Sequence, residues 1–143
     1  MREVNVQLGV IPRKWQQEVS EHMKRFTVIA VHRRGGKTVL ACNILAQQAT
    51  AKKDCLFGYI APERAQAKVI AWDVLKRIFD PFVKFQEAEK RRNKNAEDVI
   101  TIMESELKIT FNKTGSSIQL FGADNPDRIR GVKLAGVVMD EVA

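Results

Sequence analysis

Apolar positions along this chain change period several times, and each change marks an element. Trp15, Val19 and Met23 or His22 recur at helical spacing through KWQQEVSEHMKRF, and Pro12 stands where a helix can open. TVIAV, Thr27 to Val31, is a β-branched run bounded by charge and reads as a buried strand. KTVLACNILAQQATAK returns to the helical period, with Val39, Leu40, Ile44 and Leu45 on one side. CLFGYIAP, Cys55 to Pro62, reads as a second buried strand, and ERAQAKVIAWDVLKRIFDPF as a second long helix ended by Asp80-Pro81. Between Lys84 and Glu106 the signal weakens, and FQEAEKRRNKN reads as a charged, helical, solvated excursion. LKITFN and SSIQLFGA alternate around a KTG turn and predict a hairpin. LAGVVMDEVA reads as a third buried strand, whose apolar run ends at Asp140 and Glu141.

Strands alternating with helices predict an α/β domain with a mostly parallel sheet, in which a ligand sits beyond the carboxyl ends of the strands. At 143 residues, 45% hydrophobic and 29% charged, the chain is one globular domain with enough length for a core. The formal charge of +7 fits a polyanionic partner, nucleic acid or nucleotide phosphate, and equally an ordinary basic surface. Two cysteines, Cys42 and Cys55, make neither a disulfide framework nor a zinc site and read as reduced, buried thiols. No apolar run is long enough to span a membrane and no signal-peptide core precedes the first helix, so the expected location is the cytosol.

Two segments carry chemistry. HRRGGKTVL, His32 to Leu40, approaches the phosphate-binding spelling G-x-x-x-x-G-K-[ST], with Val31 in place of the first glycine. Gly35 and Gly36 allow close backbone approach to phosphate oxygens, and the following helix adds its positive end. Lys37 can reach β- and γ-phosphates, and the Thr38 hydroxyl can hold Mg²⁺. The bland alternative is a helix-capping turn. At the end of the last strand, Asp140 would bind Mg²⁺ through water, and Glu141 would orient and deprotonate an attacking water. The alternative is a strand ending in two exposed acids. Both segments fall at strand carboxyl ends, where a phosphate site belongs.

PRKWQQEV, RFTVIAVHRRGGKT, YIAPERAQAKVIAWD, GADNPDRIRG and VVMDEVA, in that order, resemble the ATPase domain of the large terminase subunit of tailed bacteriophages. The resemblance covers Pro12 to Ala143, except for residues 84–106. It implies a P-loop NTPase fold of the RecA-like ASCE type, three-layered with a mostly parallel sheet and incomplete at the C-terminus. It implies ATP and Mg²⁺ as cofactors, and ATP hydrolysis coupled to translocation of double-stranded viral DNA into a prohead. The partners implied are that DNA, the terminase small subunit, the portal protein and further copies in a ring, in the host bacterial cytoplasm and away from any membrane.

Terminases often lack the first glycine of this loop and carry an arginine in it, which makes Val31 family variation. Arg33 matches the loop arginine that acts in cis on the γ-phosphate, and Arg34 is a second loop cation. Gln16 matches the glutamine that reads the adenine edge, with Gln17 in reserve. Trp15 could stack near the base or belong to the core. Arg130 matches an arginine that reaches a neighbouring subunit's nucleotide, with Arg128 as runner-up. The simpler reading there is a short helix begun by Pro126, capped by Asp124 or Asn125, with both arginines as surface charges.

Terminases continue beyond the second acid with a coupling motif, more sheet and a nuclease domain, none of which is spelled within residues 1–143. The expected domain is thus the N-terminal part of the ATPase unit, without nuclease carboxylates. A strand that inserts between TVIAV and VVMDE would be missing, which predicts unpaired edges and an aggregation hazard. Two other functions stay open. One is a non-catalytic nucleotide-binding remnant. The other is a helicase-like ATPase, although helicases usually follow the acid pair with Ala-His or similar, where Val142 and Ala143 stand here.

Overall fold

The computed structural model describes residues 6–32 and 36–140. Strand β1 (Leu56–Ala61) organises it, because it is paired in parallel on both edges. On one side lies β4 (Ser116–Gly122), with Tyr59 opposite Leu120. On the other lies β5 (Gly136–Met139), with Tyr59 opposite Val138. Two short strands, β2 (Ile100–Met103) and β3 (Lys108–Phe111), extend the sheet antiparallel beyond β4, giving the order β2-β3-β4-β1-β5. The α/β expectation holds, and β3 and β4 form the expected hairpin. Strand β2 lies in the stretch where the sequence signal is weak.

Helix α1 (Lys14–Glu21) precedes the glycine loop, and α2 (Lys37–Ala51) follows it. After β1 come α3 (Arg64–Ala67), a π-helical turn (Lys68–Trp72) and α4 (Asp73–Arg92). The core joins Leu45, Ala46, Trp72, Leu75 and Ile78 from the helices to Phe57, Tyr59, Ile118 and Leu120 from the sheet. The C-terminal carbonyls of α2 are taken up by the hairpin. Thr114 donates its hydroxyl to Ala49 O at 2.7 Å, and Ser116 donates to Lys52 O at 2.5 Å. Helix ends buried without such partners would be costly.

Three expectations need correction. The second long helix does not stop at Asp80-Pro81 but runs to Arg92 with Pro81 inside it. A mid-helix proline costs about 3 kcal/mol. Beyond it, buried Phe82 packs edge-on to Phe111 with ring centroids 5.2 Å apart, worth about 1.5–3 kcal/mol. Gln86 Oε1 also accepts from Val99 N–H and Ile100 N–H, each at 2.9 Å, for about 0.5–1.5 kcal/mol apiece. These gains offset the proline. The charged excursion is therefore helical as expected, but one face of it anchors β2.

Thr27–Val31 joins no strand, and Val28 is 97% exposed. Apolar β-branched residues make a strand only where an edge accepts them. Both edges of β1 are occupied, and this segment faces β5 across a cleft instead of pairing with it. The third correction follows from the same vacancy of partners. Strand β5 is not fully buried but alternates half-buried and exposed positions, with Val137 and Met139 exposed. Of the thiols, Cys42 is buried as expected and Cys55 only half-buried; both are free.

The proline also explains the chain before α1. Pro81 has no N–H to offer Arg77 O, four residues earlier, and Gly9 lies against that gap, donating its N–H to Ile78 O at 2.7 Å. A side chain at Gly9 would overlap the Arg77 carbonyl oxygen and stand 2.9 Å from Pro81 Cδ. Gly9→Val should therefore lower stability by about 1–3 kcal/mol. It should also free the segment around Val6 and Leu8 for proteolysis before global unfolding. A thermal melt and a limited digest check this, and an unchanged digest would refute the docking.

Candidate functional site

Helix α1 reaches Gly36, at the start of α2, through Gln16. Gln16 is 2% exposed, and its amide is committed to backbone on both sides. Its Oε1 accepts from Arg13 N–H at 2.7 Å, and its Nε2 donates to Gly36 O at 2.8 Å. Gly36 is the N-cap of α2 and holds φ 88°, a left-handed conformation that favours glycine. Added side-chain bulk there would also meet Gln16 Nε2 at 2.9 Å and the Trp15 ring at 3.7 Å. Trp15 is half-buried beside the loop and lies outside the core cluster. Gln17 points outward and donates weakly to Pro12 O.

The first turn of α2 meets the end of β5. Lys37 Nζ lies 3.8 Å from Asp140 Oδ1, with the lysine side chain 41% exposed and the aspartate 12%. Asp140 N–H continues the ladder to Ile60 O at 2.9 Å, which fixes the carboxylate at the sheet's end. Its second oxygen, Oδ2, accepts from the Tyr59 hydroxyl at 2.5 Å. Thr38, in the first turn of α2, lines the same cleft as Tyr59 and Asp140. Burial and the bond to Asp140 push the Tyr59 hydroxyl well above its ordinary range, so it stays protonated and donates. Cys42, one turn along α2, is pushed up to about 12 by burial and then by the negative charge of Asp140.

The structure thus brings Gln16 to Gly36, and Lys37 and Thr38 to Asp140. Arg33, Arg34, Gly35 and Glu141 lie outside the described residues. Arg130 is not brought to this cluster by any contact seen. It is exposed and pairs with Asp127 at 3.3 Å in its own loop, after a 3₁₀ turn of Pro126–Arg128. That turn is N-capped by Asn125 as expected, but without a side-chain cap bond. Arg128 is likewise exposed.

Reading the sequence alone passes over Tyr59. The available signal is a lone tyrosine in an apolar strand, whose hydroxyl needs a buried partner. A cleft of about 200 Å³ opens between these groups and the pre-loop segment, lined by Thr27, Ile29, Lys37, Thr38, Tyr59 and Asp140 among others. Hard oxygen donors from Thr38 and Asp140, at the N-terminus of a fifteen-residue helix, fit a magnesium ion that takes its remaining ligands from water and phosphate. Among the described residues there is no group of three or more His, Cys, Asp or Glu that could hold a metal ion.

The thiol gives a measurable consequence. An unfolded cysteine ionises near 9.0, whereas Cys42 in the fold keeps its proton to about 12. Between those values the unfolded chain binds fewer protons than the folded one. The stability present below the lower value is therefore lost as pH rises through the window. Tyr59 acts in the same direction from 10.0 upward. Melting temperatures should fall from about pH 9 upward, and fall less steeply in Cys42→Ala. Parallel pH profiles for the two proteins would show that Cys42 is not a source of the loss.

No protein-family model matches the sequence, and no curated protein matches it. Solved structures do. The large terminase ATPase domain of Thermus phage P74-26 superposes with a TM-score of 0.70 at 21% identity, over 92% of this chain and 54% of that one. The large terminase of another, thermophilic bacteriophage superposes with a TM-score of 0.54 at 20% identity, over 76% of this chain and 25% of that one. The chain spans about half the length of the first of these. No helix among the described residues is long and apolar enough to cross a membrane. In its architecture, this chain carries the fold of phage large terminase ATPase domains.

Proposed function

We propose that the chain is the ATP-binding and hydrolysing segment of a phage DNA-packaging terminase large subunit. The observation that carries this reading is the meeting of Lys37, at the N-terminus of α2, with Asp140, at the carboxyl end of β5, 3.8 Å apart. A cation on a helix N-terminus facing a strand-end carboxylate is what a nucleotide triphosphate and its metal require. Lys37 would bind the β- and γ-phosphates, and the α2 N-terminus would add its backbone N–H groups. Thr38 and Asp140 would hold Mg²⁺, which supplies charge neutralisation on the phosphate oxygens when bound. Glu141 would take the proton of the attacking water. Arg33 and Arg34 would offset phosphate charge from the loop, where Gly35 allows close approach, and Arg130 would serve a neighbouring copy's nucleotide. Gln16, by its bonds to Arg13 and Gly36, would set the loop's position as well as offer its remaining amide hydrogen towards a base.

In the whole protein this site would drive double-stranded viral DNA into a prohead, as part of a ring with the portal protein and small subunit, in the host cytoplasm. Contacts from Lys and Arg to DNA phosphates would be salt-dependent and sequence-blind. A second reading, nucleotide binding without turnover, is favoured by the unpaired Thr27–Val31 segment. A loop that follows an unpaired segment holds its groups less firmly than one that follows a paired strand.

Binding of a fluorescent ATP analogue with Mg²⁺, followed by phosphate release, tests both. Lys37→Ala should weaken binding by at least about tenfold, about 1.4 kcal/mol. Glu141→Gln should keep binding and abolish release. Binding by Lys37→Ala equal to the wild type would overturn the proposal, and wild-type binding without release would select the second reading.

A further inference from the structure

Asp140 carries a burden beyond its charge. A carboxylate 12% exposed needs its second oxygen satisfied, or it will rotate towards whichever donor is nearest. Tyr59 meets that need from the middle of β1, whose pairing on both edges leaves its side chain no freedom to drift. The tyrosine is 0% exposed, so its hydroxyl is best satisfied by a partner within the fold. The bond uses one carboxylate oxygen, Oδ2, and leaves Asp140 Oδ1, the oxygen that faces Lys37, turned to the cleft that Thr38 also lines.

We propose that Tyr59 is a positioning residue that aims Asp140 as an oxygen donor for a divalent cation held in the cleft beside Thr38. The proposal rests on the nucleotide-site reading above and assigns a part of it to a side chain from a different strand. Serine or asparagine could not stand in for it, because neither reaches from β1 to the end of β5 while filling the same buried space. Phenylalanine fills the space and lacks only the hydroxyl, which makes it the discriminating substitution.

The experiment measures binding of a fluorescent ADP analogue to the 143-residue chain as Mg²⁺ is titrated, and again with chelator present. Tyr59→Phe should leave metal-free binding within about twofold of the wild type. It should raise the Mg²⁺ concentration for half-maximal enhancement by about tenfold to a hundredfold, the usual effect of removing an outer partner of a metal ligand. A change in fold alone would move both measurements together, and circular dichroism melts identify a variant that fails to fold. Cys42→Ala, a neighbour in the same core without a hydrogen bond to Asp140, should not shift the Mg²⁺ midpoint. A Tyr59→Phe midpoint equal to that of the wild type, with wild-type binding still Mg²⁺-dependent and sensitive to Lys37→Ala, overturns the role of Tyr59 alone. Wild-type binding with no Mg²⁺ dependence overturns the metal-site reading together with it.

Discussion

The pairing of β1 on both of its edges is the constraint on which everything else depends. Parallel neighbours β4 and β5 are each held to it by a continuous register, Leu56 to Ala61 against β4 and Phe57 to Ile60 against β5. Because side chains alternate along a strand, this register fixes Phe57, Tyr59 and Ala61 on the face that carries the core. It fixes the end of β5 at the same level, so that Asp140 arrives beside the tyrosine and at the first turn of α2. A one-residue slip of β5 would turn Asp140 to the opposite face and dissolve the site.

Most of this arrangement was legible from residue order. The helix around KTVLAC, the strand LFGYIA and the hairpin around KTG follow from local period and turn chemistry, and the structure places them as expected; the helix of KWQQEV is there too, but it ends at Glu21 instead of running on through HMKRF. The failures share one cause: sequence pattern reports what a segment prefers, not what is available to pair with it. TVIAV has every local mark of a buried strand, yet it pairs with no strand and Val28 lies exposed. Asp80-Pro81 has the local mark of a helix end and is overrun, because Phe82 and Gln86 find partners on β3 and β2 that lie far along the chain. Tyr59 was invisible for the same reason. Its meaning lies in a contact 81 residues away.

Gln16 shows how a residue type can be right and its geometry more specific than the type implies. A glutamine one helix before a phosphate loop suggests recognition of a base. In the fold its carbonyl caps its own helix and its amide holds Gly36, which ties α1 to the N-terminus of α2. Any base that binds nearby meets a side chain already fixed by two backbone bonds. Such fixation lowers the cost of ordering the site when a ligand arrives.

The two partners of Asp140 differ in a way that suits them to different tasks. An ion pair with a lysine 41% exposed, at 3.8 Å, is of the kind worth about 0–1 kcal/mol, because solvent screens it and the long side chain loses freedom to keep it. Lys37 can therefore leave Asp140 at small cost. The Tyr59 bond is buried, shorter, and made to a charged acceptor, a class worth about 1.5–3 kcal/mol. Were the lysine to leave, the Tyr59 bond would still hold the carboxylate. A site built this way has one exchangeable cation and one permanent donor around a single acid, and it is the permanent one that decides where the acid points.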